Sequence, residues 1–237
     1  MKRLFALATI LAVASAAAWA EPAHDPSLDL IGKYLSATEA QKEKLRGLQM
    51  EAHIEAKLPK LQKQGKLIAL RVISQIGKIS YVVRSFVGDG TIKKEVIARY
   101  LEAEQQAAEG PGTMGITPDN YKFKYKGSMS RDGRMVHILA LTPREKRVGL
   151  FKGEIWLDTE TYLPIRETGL FVKTPSVFLK KVEFTRDYQI RDGVAFPSHI
   201  ESHVDARLVG KADLSIRFTN ISLSNSDVPV PTEETPE

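Results

Sequence analysis

Cysteine is absent from this chain of 237 residues. The absence excludes disulfide bonds, and it excludes the cysteine that anchors bacterial lipoproteins to a membrane. Long apolar runs are also scarce. After residue 20, no stretch approaches the roughly 20 apolar residues that a transmembrane helix needs. The fold must therefore depend on an ordinary packed core.

Catalytic motifs are absent as well. The sequence contains neither the G-x-S-x-G turn of α/β-hydrolases nor the H-E-x-x-H motif of zinc proteases. None of the five histidines stands beside a serine in a recognisable motif. The sequence thus offers no recognisable pair of nucleophile and base, which catalysis by such a mechanism requires. We therefore predict that the chain is not an enzyme and needs no cofactor.

A metal site would need ligands that converge. His199, Glu201 and His203 alternate along one predicted strand and share its polar face. Residues two apart on a strand are about 6.5–7 Å from each other, which is too far for one ion about 2 Å from each ligand. We predict a solvated outer face and no metal.

The first 20 residues have the pattern of a signal peptide. Lys2 and Arg3 precede an apolar core at residues 4–13, and Ala18-Trp19-Ala20 is typical of a cleavage site. Cleavage after Ala20 predicts an exported, periplasmic chain of residues 21–237. Losing Lys2 and Arg3 lowers the formal charge from +5 to +3, a modest surplus that does not favour nucleic acid.

Alternating apolar and polar residues predict a mainly β fold. Residues 48–58 alternate without interruption, as a half-buried strand does. Turns are predicted at Arg131-Asp132-Gly133, at residues 158–161 and at Arg191-Asp192-Gly193. In all we predict ten strands, helices near residues 25–35, 38–47 and 93–108, one domain at 21–225, and a disordered acidic, Pro-rich tail at 226–237.

The last strands carry their apolar side chains on one face, and a sheet of ten strands curls because twist accumulates. Three helices cannot cover so large an inner face, so the pattern favours a cavity for an apolar ligand; inner faces packed on each other are the alternative. The predicted ligand contacts are Phe178, Val182, Phe184, Ile200, Leu214, Ile216 and Phe218. The predicted lid residues are Tyr34, Tyr100 and Leu101.

Four stretches resemble a known family. They are IGKYLSA at 31–37, LRGLQMEA at 45–52, GDGTIKKEVIARYLEAE at 88–104, and IWLDTETYLPIRETGLFVKTPS at 155–176. Together with the D-x-x-T-x-L-P hairpin they resemble the LolA/LolB-like proteins of outer-membrane lipoprotein sorting, in a divergent form. The resemblance covers about residues 28–223.

The resemblance implies a curved antiparallel sheet that forms an incomplete, half-open β-barrel with a helical lid. It also implies a lipoprotein carrier that binds acyl chains or another lipid-like ligand, takes it from an inner-membrane donor complex and delivers it to an outer-membrane receptor. The chain would be peripheral to membranes at most. In the carriers an arginine on an early strand holds the lid shut; Arg71 and Arg84 are the candidates here.

Two other classes of protein share features with this sequence. The same fold class includes periplasmic sensors, so the alternative function is a sensor or structural module that binds a protein partner through its sheet edge or lid. A membrane-spanning barrel fits less well, because Lys122, Lys124 and Lys126 alternate with the apolar residues of one strand and would face a pore or lipid.

Overall fold

The computed structural model describes residues 26–109, 115–174, 179–207 and 210–223. The predicted signal peptide, Asp25, Phe178 and the tail after residue 225 lie outside these ranges. No helix in the described ranges is both long enough and apolar enough to cross a membrane.

The helices form two covering segments. The first is α1, Pro26–Leu45. The second comprises α2 (Gly90–Ile92), a π-helical stretch (Lys93–Ala98) and α3 (Arg99–Glu109), which follow one another directly. A 3-10 turn at Pro59–Leu61 joins two strands.

The prediction of two helices before residue 48 was wrong, because α1 is continuous. Thr38-Glu39-Ala40-Gln41 has the spacing of a capping box, but no Gly or Pro interrupts the helix there. The Gln41 side chain points to the sheet instead, where its Oε1 accepts a hydrogen bond from the Ala195 backbone N–H at 2.8 Å. A tertiary contact thus uses the residue that would have capped a second helix.

Ten antiparallel strands form one sheet, as predicted. They are β1 (Leu48–Leu58), β2 (Lys63–Ile73), β3 (Ile79–Gly88), β4 (Tyr121–Arg131), β5 (Arg134–Pro143), β6 (Phe151–Asp158), β7 (Pro164–Phe171), β8 (Leu179–Arg191), β9 (Val194–Ala206) and β10 (Gly210–Leu223). Their order is β3-β2-β1-β10-β9-β8-β7-β6-β5-β4. The sheet is curved and open, with β3 and β4 as its edges.

The predicted alternation places the core on the inner face. Every even position of β1 is buried, and every odd position is half-buried or exposed. The same holds for Ala212, Leu214, Ile216 and Phe218 on β10, which pairs with β1. Both helical segments pack against this face, so the fold is an open half-barrel with a helical cover.

The hairpin between β6 and β7 is organised by Asp158, which is 4% exposed. Its Oδ1 accepts hydrogen bonds from the backbone N–H groups of Glu160 and Thr161 and from the Thr161 hydroxyl, at 2.8–3.1 Å. The chain then turns through Tyr162, whose φ is +58°. One carboxylate oxygen therefore accepts three of the hydrogen bonds in this turn.

Replacing Asp158 by alanine should destabilise this hairpin. The three donors would lose their acceptor, and a hydrogen bond to a charged group contributes about 1.5–3 kcal/mol. We expect Asp158→Ala to lower the free energy of unfolding in urea by about 2 kcal/mol. Glu160→Ala, an exposed substitution in the same turn, should change it by less than about 0.5 kcal/mol. Equal effects of the two substitutions would contradict this account.

Candidate functional site

The predicted ligand contacts are placed on the inner face in two groups. Ile200, Leu214, Ile216 and Phe218 lie in one apolar cluster with Leu101, and Tyr100 packs against it. Phe184 and Tyr34 lie in a second cluster. Val182 is buried on β8 but belongs to neither cluster. In this conformation the six predicted ligand contacts that the structure describes are only 1–8% exposed. The helices and the neighbouring apolar side chains cover them.

Each cluster has its own helical cover. The first cluster, formed largely by β1, β2 and β10, is covered by Ile92, Ile97 and Leu101 of the second helical segment. The second cluster, formed largely by β4, β5 and β6, is covered by Leu30, Ile31 and Tyr34 of α1. On α1, Leu30 and Ile31 lie four and three positions before Tyr34 and so share its face. In the second segment Ile92 and Ile97 are five positions apart, a spacing that fits the i→i+5 pattern of the π-helical stretch that follows Ile92.

Arg71 joins the sheet to α3. It lies on β2, its side chain is 8% exposed, and its Nη2 and Nε donate to Glu104 Oε1 at 2.9 and 3.2 Å. The hydroxyl of Tyr81, on β3, donates to the other oxygen of Glu104. We call these three residues the β2–α3 latch. Arg84, the other predicted candidate, is exposed on β3.

The charges of the latch are set by burial and by each other. Burial acts most strongly on the pKa of Arg71 and lowers it, but the charges and hydrogen bonds of Glu104 and Tyr81 together outweigh burial, and the net direction is upward. Burial and Glu104 both raise the pKa of Tyr81, which therefore stays protonated and able to donate. A permanently charged guanidinium thus lies under the helix with its counterion on that helix.

A second set of charged groups lies on the inner face. Glu167 on β7 pairs with Arg186 on β8, where Arg186 Nη1 donates to Glu167 Oε2 at 3.0 Å. The Tyr188 hydroxyl donates to Glu167 Oε1 at 2.9 Å. We call these three residues the interior polar cluster. Glu167 is 9% exposed in its side chain, whereas Arg186 is 37% exposed.

Arg186 combines exposure with desolvation. Tyr188 raises its pKa most strongly, burial acts to lower it, and Glu167 raises it further. The desolvation shows that protein surrounds the guanidinium, and the 37% exposure shows that solvent still reaches it. Arg186 is thus largely enclosed by protein on the inner face and is still reached by solvent.

Sequence reasoning missed the interior polar cluster. Arg186 occupies an even position of β8, between Phe184 and Tyr188, and so points inward with them. The alternation was therefore sufficient to detect Arg186. Glu167 could not be found in this way, because its burial depends on the pairing of β7 with β8.

Two pockets lie outside the interior polar cluster. One of about 620 Å³ is lined by Arg191, His199 and Arg217 among others, and one of about 290 Å³ by Glu183, Glu201 and His203 among others. Of the predicted ligand contacts, the first includes Phe218 and the second includes Phe184. The first is lined by residues of β8, β9 and β10, and the second by residues of β6, β7, β8 and β9.

The histidines of β9 have other partners. His203 Nδ1 lies 2.8 Å from Asp213 Oδ1, and His199 Nε2 lies 3.3 Å from Glu201 Oε1. No three His, Asp or Glu side chains converge as a metal site in the described ranges.

Comparison with family models identifies one match. The model of a family of unknown function, DUF5686, matches residues 117–225, which span β4 to β10. No curated protein matches the chain.

Solved structures of similar fold come from several bacteria. A LolA superfamily protein from Nitrosomonas europaea is 13% identical, with a TM-score of 0.41 over 84% of this chain and 94% of its own. A DUF1329 family protein from Desulfovibrio piger is 14% identical, with a TM-score of 0.43 over 87% and 95%. A domain from Vibrio parahaemolyticus assigned to outer membrane lipoprotein sorting is 13% identical, with a TM-score of 0.38 over 81% and 92%.

At these identities the likeness concerns the fold alone. The sequence-based prediction of a divergent LolA-like chain is confirmed at that level. In fold, this chain is similar to the LolA superfamily protein from Nitrosomonas europaea.

Proposed function

We propose that this chain is a periplasmic, non-enzymatic carrier that binds the acyl chains of lipoproteins or of another lipid-like ligand. The ligand would lie against the inner face of the sheet, in contact with residues of the first cluster such as Ile200, Leu214 and Phe218. The second helical segment would act as the lid and move away from the sheet when the ligand enters.

The β2–α3 latch is the observation that carries this proposal. Burying an ion pair adds little net stability, because the desolvation of both charges offsets their attraction, and an apolar pair would hold the helix as well. A buried pair is better attested as a device that selects one arrangement over another. Here the pair joins the sheet to the helix that covers the apolar cluster, so its two arrangements would be lid closed and lid open.

The free energy of apolar burial favours a mechanism in which an acyl chain takes the place of the helix side chains on the sheet. Lifting Ile97 and Leu101 from the sheet would expose apolar surface at a cost of about 25 cal/mol per Å². An acyl chain that replaces them would recover this term, less the costs of association. The carrier would thus release its lid only when a ligand is present to take its place.

The partners follow from this role. We propose an inner-membrane donor complex and an outer-membrane receptor, with the chain moving between them after its predicted signal peptide is removed at Ala20. The absence of cysteine supports a carrier that is not lipid-anchored.

The first test is extraction of the purified mature chain with organic solvent, followed by mass spectrometry. We expect co-purified acyl lipids. The lipid-free protein should then take up the fluorescent probe 1-N-phenylnaphthylamine. A lipid-free preparation that also ignores the probe would contradict the proposal.

The lid has its own test in Tyr81→Phe, which removes the hydroxyl that donates to Glu104 and leaves the ring. A hydrogen bond to a charged carboxylate contributes about 1.5–3 kcal/mol, so the open form and the rate of probe uptake should rise at least about tenfold. Tyr125→Phe is the matched control, because that hydroxyl contacts only Ser128 and His137, away from the lid. An unchanged uptake rate in Tyr81→Phe would refute the latch as a lid contact.

One observation favours a second function. Strand β3 is an edge of the sheet, and it exposes Val83 (48%) and Val87 (75%). An apolar, unpaired edge is suited to adding a strand from a protein partner, as a sensor or structural module would do. A lipid-free protein whose Val83→Lys variant loses a partner retained by wild type would support this function in place of transport.

A further inference from the structure

Arg186 has hydrogen-bond donors without acceptors. Its Nη1 donates hydrogen bonds to Glu167 Oε2, at 3.0 Å, and to the Tyr188 hydroxyl, at 3.4 Å. No residue of the described ranges accepts from its Nε or Nη2, and neither atom is fully buried. One side of the guanidinium fork is therefore occupied and the other is open.

Arg186 lies where the two apolar clusters meet, directly opposite Ile200 of the first cluster in the pairing of β8 with β9. The guanidinium carbon is 5.8 Å from the ring of Phe184, which belongs to the second cluster. Tyr100, which packs on the first cluster, is close enough that Arg186 acts to lower its pKa against the larger, upward effects of burial and Glu104. An apolar chain in either cluster would thus end beside these donors.

The charge balance decides which kind of acceptor these donors bind. Arg186 is already neutralised by Glu167, and both oxygens of Glu167 are engaged. A ligand carboxylate would bring a second negative charge close to Glu167 in a desolvated recess, which is costly. An ester carbonyl accepts hydrogen bonds without adding charge.

We propose that Nε and Nη2 of Arg186 bind the ester carbonyl of an acylated lipid and so fix the depth of the acyl chain. This inference rests on the proposed carrier function and adds the ligand's chemistry to it: an uncharged acyl ester is preferred over a free fatty acid. Arg186 acts here as a specificity-determining residue, held in place by Glu167 and Tyr188.

The test compares three ligands on the full mature chain. They are 1-monooleoylglycerol, its ether analogue 1-O-oleylglycerol, which lacks the carbonyl, and oleate. Affinities are measured by displacement of 1-N-phenylnaphthylamine. A hydrogen bond from a charged donor contributes about 1.5–3 kcal/mol, so the ester should bind at least about tenfold more tightly than the ether. Oleate should bind more weakly than the ester.

Arg186→Lys keeps a cation for Glu167 but removes the fork, so the ester-to-ether ratio should fall to about one. The control is Arg166→Lys on β7. Arg166 pairs with Asp187 at 2.8 Å and belongs to neither cluster, so this variant should keep the wild-type ratio.

Equal affinity of wild type for ester and ether, or tighter binding of oleate, would overturn the ester preference and leave the carrier function standing. Failure of all three ligands would overturn both.

Discussion

Gly153→Ala is expected to lower the free energy of unfolding by about 3 kcal/mol or more, the upper range for overpacking a core. A Cβ at this position would lie 1.9 Å from the Thr168 carbonyl oxygen and 2.6 Å from the Gly169 Cα. Gly153 and Gly169 are directly paired between β6 and β7. Because the obstructing atoms belong to the backbone, no side chain can rotate away, and the two strands must separate.

Urea denaturation of both proteins measures this effect. The control is Gly32→Ala in α1, where a Cβ would meet nothing within 4 Å. Alanine is the better helix former, so this substitution should raise the free energy of unfolding by about 0.5–1 kcal/mol. If Gly153→Ala unfolded at the wild-type urea concentration, the close approach of β6 and β7 would be wrong.

Arg71→Met is expected to lower the free energy of unfolding by about 3 kcal/mol, near the lower end for breaking a buried ion pair. The lower end applies because the remaining partner, Glu104, is 21% exposed and can be partly rehydrated. The companion variant Arg71→Met with Glu104→Gln should recover to within about 1 kcal/mol of wild type, since no charge is left unpaired. The glutamine oxygen still accepts from Tyr81.

The full double-mutant cycle, measured in urea, isolates the coupling between Arg71 and Glu104. An exposed pair provides the comparison: Lys66 and Glu55 are 2.7 Å apart, with side chains 69% and 46% exposed. Solvent screens this pair, so Lys66→Met should cost less than about 1 kcal/mol. Additive effects at Arg71 and Glu104 would show that the latch does not hold the helix.

Much of the fold was predictable because strand alternation is a local property. The alternation of β1 and β10 placed their apolar residues on the inner face, and the turns at Asp132-Gly133 and Asp192-Gly193 have the positive φ angles that such hairpins need. The first helices were predicted less well. Whether Gln41 caps the start of a second helix or reaches Ala195 depends on a contact between residues 154 positions apart.

The candidate site was predicted only in part, for the same reason. Apolar positions such as Ile216 and Phe218 follow from period two, and the structure brings them together with Leu101. No local pattern distinguished Arg71 from Arg84. Their difference lies in what covers each strand position: Arg71 lies under α3, whose Glu104 accepts its hydrogen bonds, whereas Arg84 is exposed.

The amino-acid sequence determined the strands and their inward and outward faces, because these depend on neighbours a few positions apart. It also determined the covering helices, except that α1 is one helix where two were predicted. The tertiary structure alone decided which charges are buried. Glu104 meets Arg71 across 33 residues and Glu167 meets Arg186 across 19, and only when distant segments remove water from such groups do they become ion pairs inside an apolar face.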